Sequence, residues 1–193
     1  MKQSKSQLRN YFRRIRSQVP AEVRKDAALS AATYLGAQDF FKQSTHIACY
    51  LPLQDEFDTS FIIDVIWEAN KQCYLPMVGK DKHTLHFIRY DKEDALQANR
   101  FGILEPVDVS REISPSQLDL VIIPLLAFDL HGYRLGTGGG YYDYTFEFLK
   151  NAAAKKPFLL GLGYAAQQAE KLYTDNWDIT LNGILTEKQV IKF

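Results

Sequence analysis

Apolar residues alternate between two rhythms along the chain. Leu8, Phe12, Ile15 and Val19 recur at helical spacing, while Lys5, Arg9, Arg13 and Arg16 run down a neighbouring face three and four residues apart, predicting a first helix with one packing face and one cationic face. Pro20 suits the first turn of a second helix over 21–35, rich in small residues. Continuous apolar runs then predict buried strands at 46–53, 73–78, 119–124 and 158–164, with a further strand at 84–90 and a last one near 184–191. Between them, Asp58 or Thr59 caps a helix reaching about Asn70, and a helix is expected from Tyr141 to about Ala154. The stretch 91–117 is rich in turn residues and suggests no regular element. Buried strands separated by helices predict an α/β fold, a mostly parallel sheet with helices on both faces, in which ligands bind beyond the carboxyl ends of the strands.

Composition narrows the picture. The chain has 193 residues, with 46% hydrophobic and 24% charged, enough for one core and one domain over 1–193. Twenty-three basic residues balance 23 acidic ones, so no global field favours nucleic acid or an anionic membrane. The first 18 residues nevertheless carry Lys2, Lys5, Arg9, Arg13, Arg14 and Arg16 and no acid. Cys49 and Cys73 lie inside apolar runs, which argues against a disulfide framework and for a cytosolic setting. The longest apolar run, 120–128, is interrupted by Pro124 and is about half of a membrane span. His46, His83, His86 and His131 lack metal-ligand spacing and are expected at the surface or in packing.

The chemistry concentrates between Val121 and Asp143. Gly136, Gly138, Gly139 and Gly140 join a buried strand to a helix, with Thr137 among them and Leu135 before them. Such a loop is either a tight connector or an anion site, and the conformational entropy lost by four glycines favours the anion site, with phosphate the natural guest. It lacks the Gly-Lys-Ser/Thr ending of the nucleoside-triphosphate P-loop and does not complete the dinucleotide fingerprint G-x-G-x-x-G, since Tyr141 and Asp143 stand where a third glycine is needed. Arg134 offers a bidentate phosphate contact or a surface ion pair. Asp143 serves equally as a helix-end charge or a Mg²⁺ ligand. Tyr142 shares an apolar stripe with Phe146 and Leu149, whereas Tyr141 is free to face the crevice. Upstream, Tyr50-Leu51-Pro52-Leu53-Gln54-Asp55-Glu56-Phe57-Asp58-Thr59 ends an apolar strand in three acids. Asp58 is explained as a cap; Glu56 is either a ligand contact or a solvated charge.

Together these residues resemble the 5-formyltetrahydrofolate cyclo-ligase family, also called methenyltetrahydrofolate synthetases. The likeness rests on Lys5-x-x-x-Arg9, Tyr50-Leu51-Pro52 with Glu56 and Thr59, Phe101-Gly102-Ile103-Leu104-Glu105-Pro106, the Pro124 to Asp143 stretch, Gly163-Tyr164-Ala165-Ala166-Gln167 and Trp177-Asp178. It implies a fold like that of ribose-5-phosphate isomerase and CoA transferases. The implied reaction is the ATP- and Mg²⁺-dependent conversion of 5-formyltetrahydrofolate to 5,10-methenyltetrahydrofolate. Carried over by position, Lys5, Arg9 and Arg134 to Tyr142 (Leu135, Gly136, Thr137, Gly138, Gly139, Gly140 and Tyr141 between them) contact ATP. Leu51, Glu56 and Thr137 to Tyr141 contact folate, Asp143 and Asp178 hold Mg²⁺, and Arg134 and Tyr141 are the catalytic pair. Some members carry basic residues where this chain has Thr137 and Gly139, which shifts phosphate neutralisation onto Arg134 and the first helix. A cytoplasmic monomer is expected, acting on a small-molecule folate, polyglutamylated forms included, and not on nucleic acid or membrane. The alternatives are a non-catalytic nucleotide- or RNA-binding protein of the same fold and a sugar-phosphate isomerase that needs no ATP.

Overall fold

A computed structural model describes residues 4–53, 55–79, 83–100, 102–151 and 153–193. Gln54 and Phe101, both within stretches singled out above, lie outside the described residues. The first helix, α1 (Lys5–Ser17), starts at Ser4, whose hydroxyl accepts from the Gln7 amide while the Gln7 side chain accepts from the Ser4 amide. Then come α2 (Ala21–Gly36), α3 (Asp39–Gln43), β1 (His46–Ala48), α4 (Ser60–Glu68), β2 (Gln72–Val78), β3 (Leu85–Arg89), β4 (Leu96–Ala98), β5 (Leu104–Pro106) and β6 (Glu112–Ile113). The second half adds β7 (Leu120–Pro124), β8 (Ala127–Phe128), β9 (Arg134–Leu135), α5 (Tyr141–Thr145), β10 (Phe158–Leu162), β11 (Gly183–Leu185) and β12 (Val190–Lys192).

Eight strands form one sheet in the order β12-β11-β10-β7-β1-β2-β3-β6. The run β11-β10-β7-β1-β2 is parallel; β12, β3 and β6 are antiparallel additions at the edges. From β1 the chain moves to β2 on one side and later returns through β7 on the other, so the strand order reverses between β1 and β7. Ligand crevices open at such a reversal, outside the carboxyl ends.

Alternation along the strands divides the core. Ile47, Cys49, Leu120, Ile122, Leu160 and Leu162 face α2, α3 and α4 through Ala28, Ala31, Leu35, Phe41, Ile62 and Ile66. Ala48, Val121, Ile123, Leu159 and Ile184 face the other way, onto Phe87, Phe128, Phe146, Ile179 and Leu181. That second face carries the short α5 and irregular chain, so helices cover both faces unequally. The two cysteines are buried and unpaired, and burial pushes the Cys49 thiol up to about 12.

Several elements are shorter than their apolar patterns. The strand expected over 46–53 stops at Ala48 because the chain turns at Tyr50, whose carbonyl accepts the Thr59 hydroxyl at 2.6 Å, and Pro52 has no amide to continue a ladder. Thr59 thereby occupies the N-cap position of α4 without capping it, and Asp58 instead accepts from the Ser60 amide at 2.9 Å. The helix expected over 141–154 ends at Thr145, whose hydroxyl donates to the Tyr141 carbonyl and accepts from Leu85 of β3, and a 3₁₀ turn over Glu147–Lys150 follows. The strand expected near 184–191 is the hairpin β11–β12, turned where the Thr186 hydroxyl accepts from the Lys188 and Gln189 amides. Within 91–117 the chain makes the hairpin β4–β5 and the edge strand β6. No helix among the described residues is long and apolar enough to cross a membrane.

Candidate active site

A cleft of about 910 Å³ opens beyond the carboxyl ends of β1, β2 and β7, at the upper end of the range for small-molecule sites. Its lining includes every residue singled out for ligand contact: Lys5, Arg9, Leu51, Glu56, Arg134 to Asp143, and Asp178. Leu75, Val78, Leu85, Pro124 and Leu125 add a broad apolar surface.

The glycine loop sits between β9 and α5. Gly138 has φ +114° and Gly140 φ +70°, both in the region side chains avoid, and a Cβ on Gly138 would lie 3.4 Å from the Arg9 guanidinium carbon. Arg9 donates its Nε–H to the Gly136 carbonyl at 3.0 Å, placing a cation against the loop. Because α5 has only five residues, its aligned peptides supply less axial dipole than the longer helix expected from sequence. His83 bonds the Gly139 carbonyl oxygen at 2.9 Å through Nδ1 and stacks on Tyr144 with ring centroids 5.1 Å apart. Sequence reasoning assigned His83 no role at the site, since its loop partner is 56 residues away and no local signal links them.

Arg134 makes a bidentate contact, though with protein groups. Its terminal nitrogens donate to the Ile179 carbonyl at 2.6 Å and to Asp143 Oδ1 at 2.7 Å, and its side chain is 6% exposed. Asp143 Oδ1 also accepts the Ile179 amide at 3.0 Å. The pair is therefore an internal brace between β9, α5 and the segment before β11, with the guanidinium still bordering the cleft. It is a buried ion pair and not the surface one considered from sequence.

Lys5, at the start of α1, donates to Asp175 at 2.6 Å and Asp178 at 2.9 Å. Partial burial works against its charge, but the two carboxylates outweigh this and hold its pKa above the usual lysine range. Asp143 and Asp178 each have one oxygen engaged and a second with no bond among the described residues. No group of three or more His, Cys, Asp or Glu side chains is placed to hold a metal among those residues. Mg²⁺ ordinarily takes one or two carboxylates and completes its shell with phosphate oxygens and water, so this donor set fits a substrate-borne Mg²⁺ and not an all-protein cage.

Glu56 lies in the turn after β1. One oxygen accepts the Leu53 amide at 3.1 Å and the other is 3.6 Å from Arg16. Burial raises its pKa, with the amide and Arg16 opposing that rise and Asp55 adding to it. Tyr142 lies partly buried beside it, and burial drives its phenol pKa well up. Tyr142 and Tyr141 both pack against the second core face while bordering the cleft. Behind the site, buried Asp129 accepts from the His131, Tyr133 and Leu172 amides, and Gln167 donates to the Leu125 and Leu126 carbonyls. These bonds fix the β8–β9 hairpin (Ala127–Phe128 with Arg134–Leu135) that launches the glycine loop.

A parallel-centred α/β sheet, a cleft beyond its carboxyl ends and a glycine loop braced by Arg9 define an α/β protein whose candidate site lies where the strand order reverses. The model of the 5-formyltetrahydrofolate cyclo-ligase family matches residues 1–187. The chain is 37% identical over 186 residues to the 5-formyltetrahydrofolate cyclo-ligase of Haemophilus influenzae, covering 95% of this chain and 97% of that one. It is 34% identical over 181 residues to the enzyme of the same name from Escherichia coli strain K12, covering 93% and 98%. Among solved structures, the 5,10-methenyltetrahydrofolate synthetase of Aquifex aeolicus superposes with a TM-score of 0.83 at 31% identity, covering 97% of this chain and 92% of that chain. The chain belongs to the 5-formyltetrahydrofolate cyclo-ligase family.

Proposed function

We propose that the chain converts 5-formyltetrahydrofolate to 5,10-methenyltetrahydrofolate with ATP and Mg²⁺, releasing ADP and phosphate, as a cytoplasmic monomer of one domain that takes folate with or without further glutamates. The observation that carries this reading is the juxtaposition, in one cleft, of the Gly136–Gly140 loop with Arg9 and of Leu51 with Glu56.

An N-formyl amide is a poor electrophile and its oxygen a poor leaving group. In the reaction proposed, the formyl oxygen attacks the terminal phosphorus of ATP and ADP departs. N10 then attacks the activated carbon and loses its proton, and phosphate leaves as the 5,10-methenyl cation forms. Phosphoryl transfer asks a protein mainly for alignment and charge neutralisation. The loop amides of Gly136 to Gly140, with Leu135 and Thr137, cradle the phosphates. Arg9 and Lys5 supply positive charge from α1, and the guanidinium of Arg134 adds its field at the cleft border. Asp143 and Asp178 would hold Mg²⁺, which supplies neutralisation of phosphate charge when bound. Leu51 and the apolar surface around Leu75 and Val78 receive the pterin, Glu56 accepts hydrogen bonds from its nitrogens, and Tyr141 lies between the two ligands. Because Thr137 and Gly139 are uncharged, Arg9, Lys5 and Arg134 carry most of the protein's positive charge toward the phosphates.

Protein, ATP, Mg²⁺ and 5-formyltetrahydrofolate are mixed and the near-ultraviolet absorbance of the methenyl product is followed. A band that grows only when ATP is present supports the reading; no band, or an equal band without ATP, refutes it.

A further inference from the structure

Arg16 stands out against the pattern of α1. The helical spacing places it with Lys5, Arg9 and Arg13 on a cationic face, yet its side chain is only 7% exposed. It donates to Asp55 at 3.1 Å and lies 3.6 Å from Glu56, itself 12% exposed. Burying a guanidinium is costly unless it is fully paired, and the Nε of Arg16 is buried with no hydrogen-bond partner among the described residues. An anchor serving only packing would be satisfied better by an apolar residue of similar length. What the placement does achieve is local: the Leu53 amide holds one Glu56 oxygen and Arg16 faces the other.

We propose that Arg16 is a positioning residue for substrate, fixing the carboxylate of Glu56 toward the pterin ring of the folate. The inference rests on the reading of Glu56 as a folate contact given above. Arg16 does not line the cleft and acts through Glu56. It is seven residues, or about two helical turns, from Arg9 on the same helix, so α1 braces the glycine loop with one arginine and the folate turn with another.

The groups facing Glu56 define the electrostatic side of this role. Asp55 on the same turn, the Tyr50 phenol after β1 and the Tyr142 phenol on α5 gain nothing from its negative charge. Arg16 from α1 is the cation that favours it. Burial raises the Glu56 pKa and Arg16 pulls it back. Removing Arg16 therefore raises that pKa further, and the carboxylate is lost at a higher pH.

Calorimetry without turnover tests this, measuring the Kd of 5-formyltetrahydrofolate in the absence of ATP and, separately, the Kd of a non-hydrolysable ATP analogue, across pH. Arg16→Gln is expected to weaken folate binding about tenfold, the scale of one lost charge-assisted contact. Nucleotide affinity should stay within about twofold, since one set of contacts is left intact. The pH at which folate affinity falls on the acid side moves up. Arg16→Lys, which keeps the charge but not the fork, weakens binding less and leaves the acid limb near its original place. In a Glu56→Gln background, Arg16→Gln has no further effect on folate. Should Arg16→Gln not fold, Arg16→Lys made in both backgrounds decides the same point: a folate-only loss that disappears with Glu56→Gln supports the proposal. Equal losses for both ligands, a folate loss that persists in the Glu56→Gln background, or unchanged folate binding in a folded variant overturns it. Failure of the unmodified chain to bind folate refutes the functional reading instead.

Discussion

Truncating Arg134 tests how far the glycine loop depends on a brace and not only on its own backbone. Arg134→Ala removes donors at 2.6 Å and 2.7 Å to the Ile179 carbonyl and Asp143. Asp143 Oδ1 is left with the Ile179 amide alone. Deleting one partner of a fully buried ion pair costs about 3–5 kcal/mol. Here Arg134 is 6% exposed but Asp143 is 20% exposed, so water partly replaces the lost donor and about 2–3 kcal/mol is expected. For a chain of this size each kcal/mol lowers Tm by about 2–4 °C, giving a drop of about 4–12 °C. Turnover should fall about 10²-fold or more, the scale of losing one transition-state donor, because the loop's exit into α5 is no longer tied to Asp143 and the cleft loses a fixed positive charge. Calorimetric melting and the methenyl absorbance assay on one preparation measure both. A fall in Tm with turnover within about twofold of the parent would leave Arg134 a structural brace only and refute its catalytic role.

Gly138→Ala places a side chain at φ +114° and 3.4 Å from Arg9; strain of about 1–3 kcal/mol in the loop should raise the KM for ATP about tenfold and lower Tm by about 2–12 °C, and an unchanged KM refutes the close approach of phosphate to that backbone. Asp119 accepts the Thr45 and His46 amides and pairs with Lys156, and although burial opposes its charge these contacts hold its pKa below the usual carboxylate range. A lowered pKa stabilises the fold above the unfolded value, and that contribution is lost as pH falls through the folded one. Asp119→Ala should therefore cost about 2 kcal/mol near pH 7, with the gap to the parent shrinking below the ordinary aspartate range; urea unfolding at pH 7 and pH 3 reads this directly, and a gap independent of pH refutes it.

Much of the architecture was legible because the parallel strands of this sheet are buried on both sides. Val121, Ile122 and Ile123 need no alternation, since one face meets α2 to α4 and the other meets Phe128 and Phe146. Apolar run and strand therefore coincide at β2, β7 and β10 to within a residue or two. The same pattern overstates elements where the chain leaves the sheet. Hydrophobicity at Cys49 and Tyr50 records burial whereas Leu51 and Leu53 line the cleft, and whether this chain is strand or turn is decided by Thr59 reaching back to the Tyr50 carbonyl. The glycine loop announced itself locally because a φ of +114° requires glycine whatever surrounds it and a φ of +70° favours it.

Residue types and their spacing alone determined a covered parallel sheet, a glycine bend at one strand's exit, a basic first helix and membership of a recognisable family. They did not determine which charges meet. That Arg134 turns inward to Asp143, that Arg16 leaves the solvent face of α1 for Asp55 and Glu56, and that His83 reaches the Gly139 carbonyl were decided only when the fold brought segments 9, 39 and 56 residues apart within bonding distance. The physical reason is range: backbone conformation and burial pattern are set by neighbours along the chain, whereas the partner of a charge is set by whichever group the packed core leaves within a few ångströms of it.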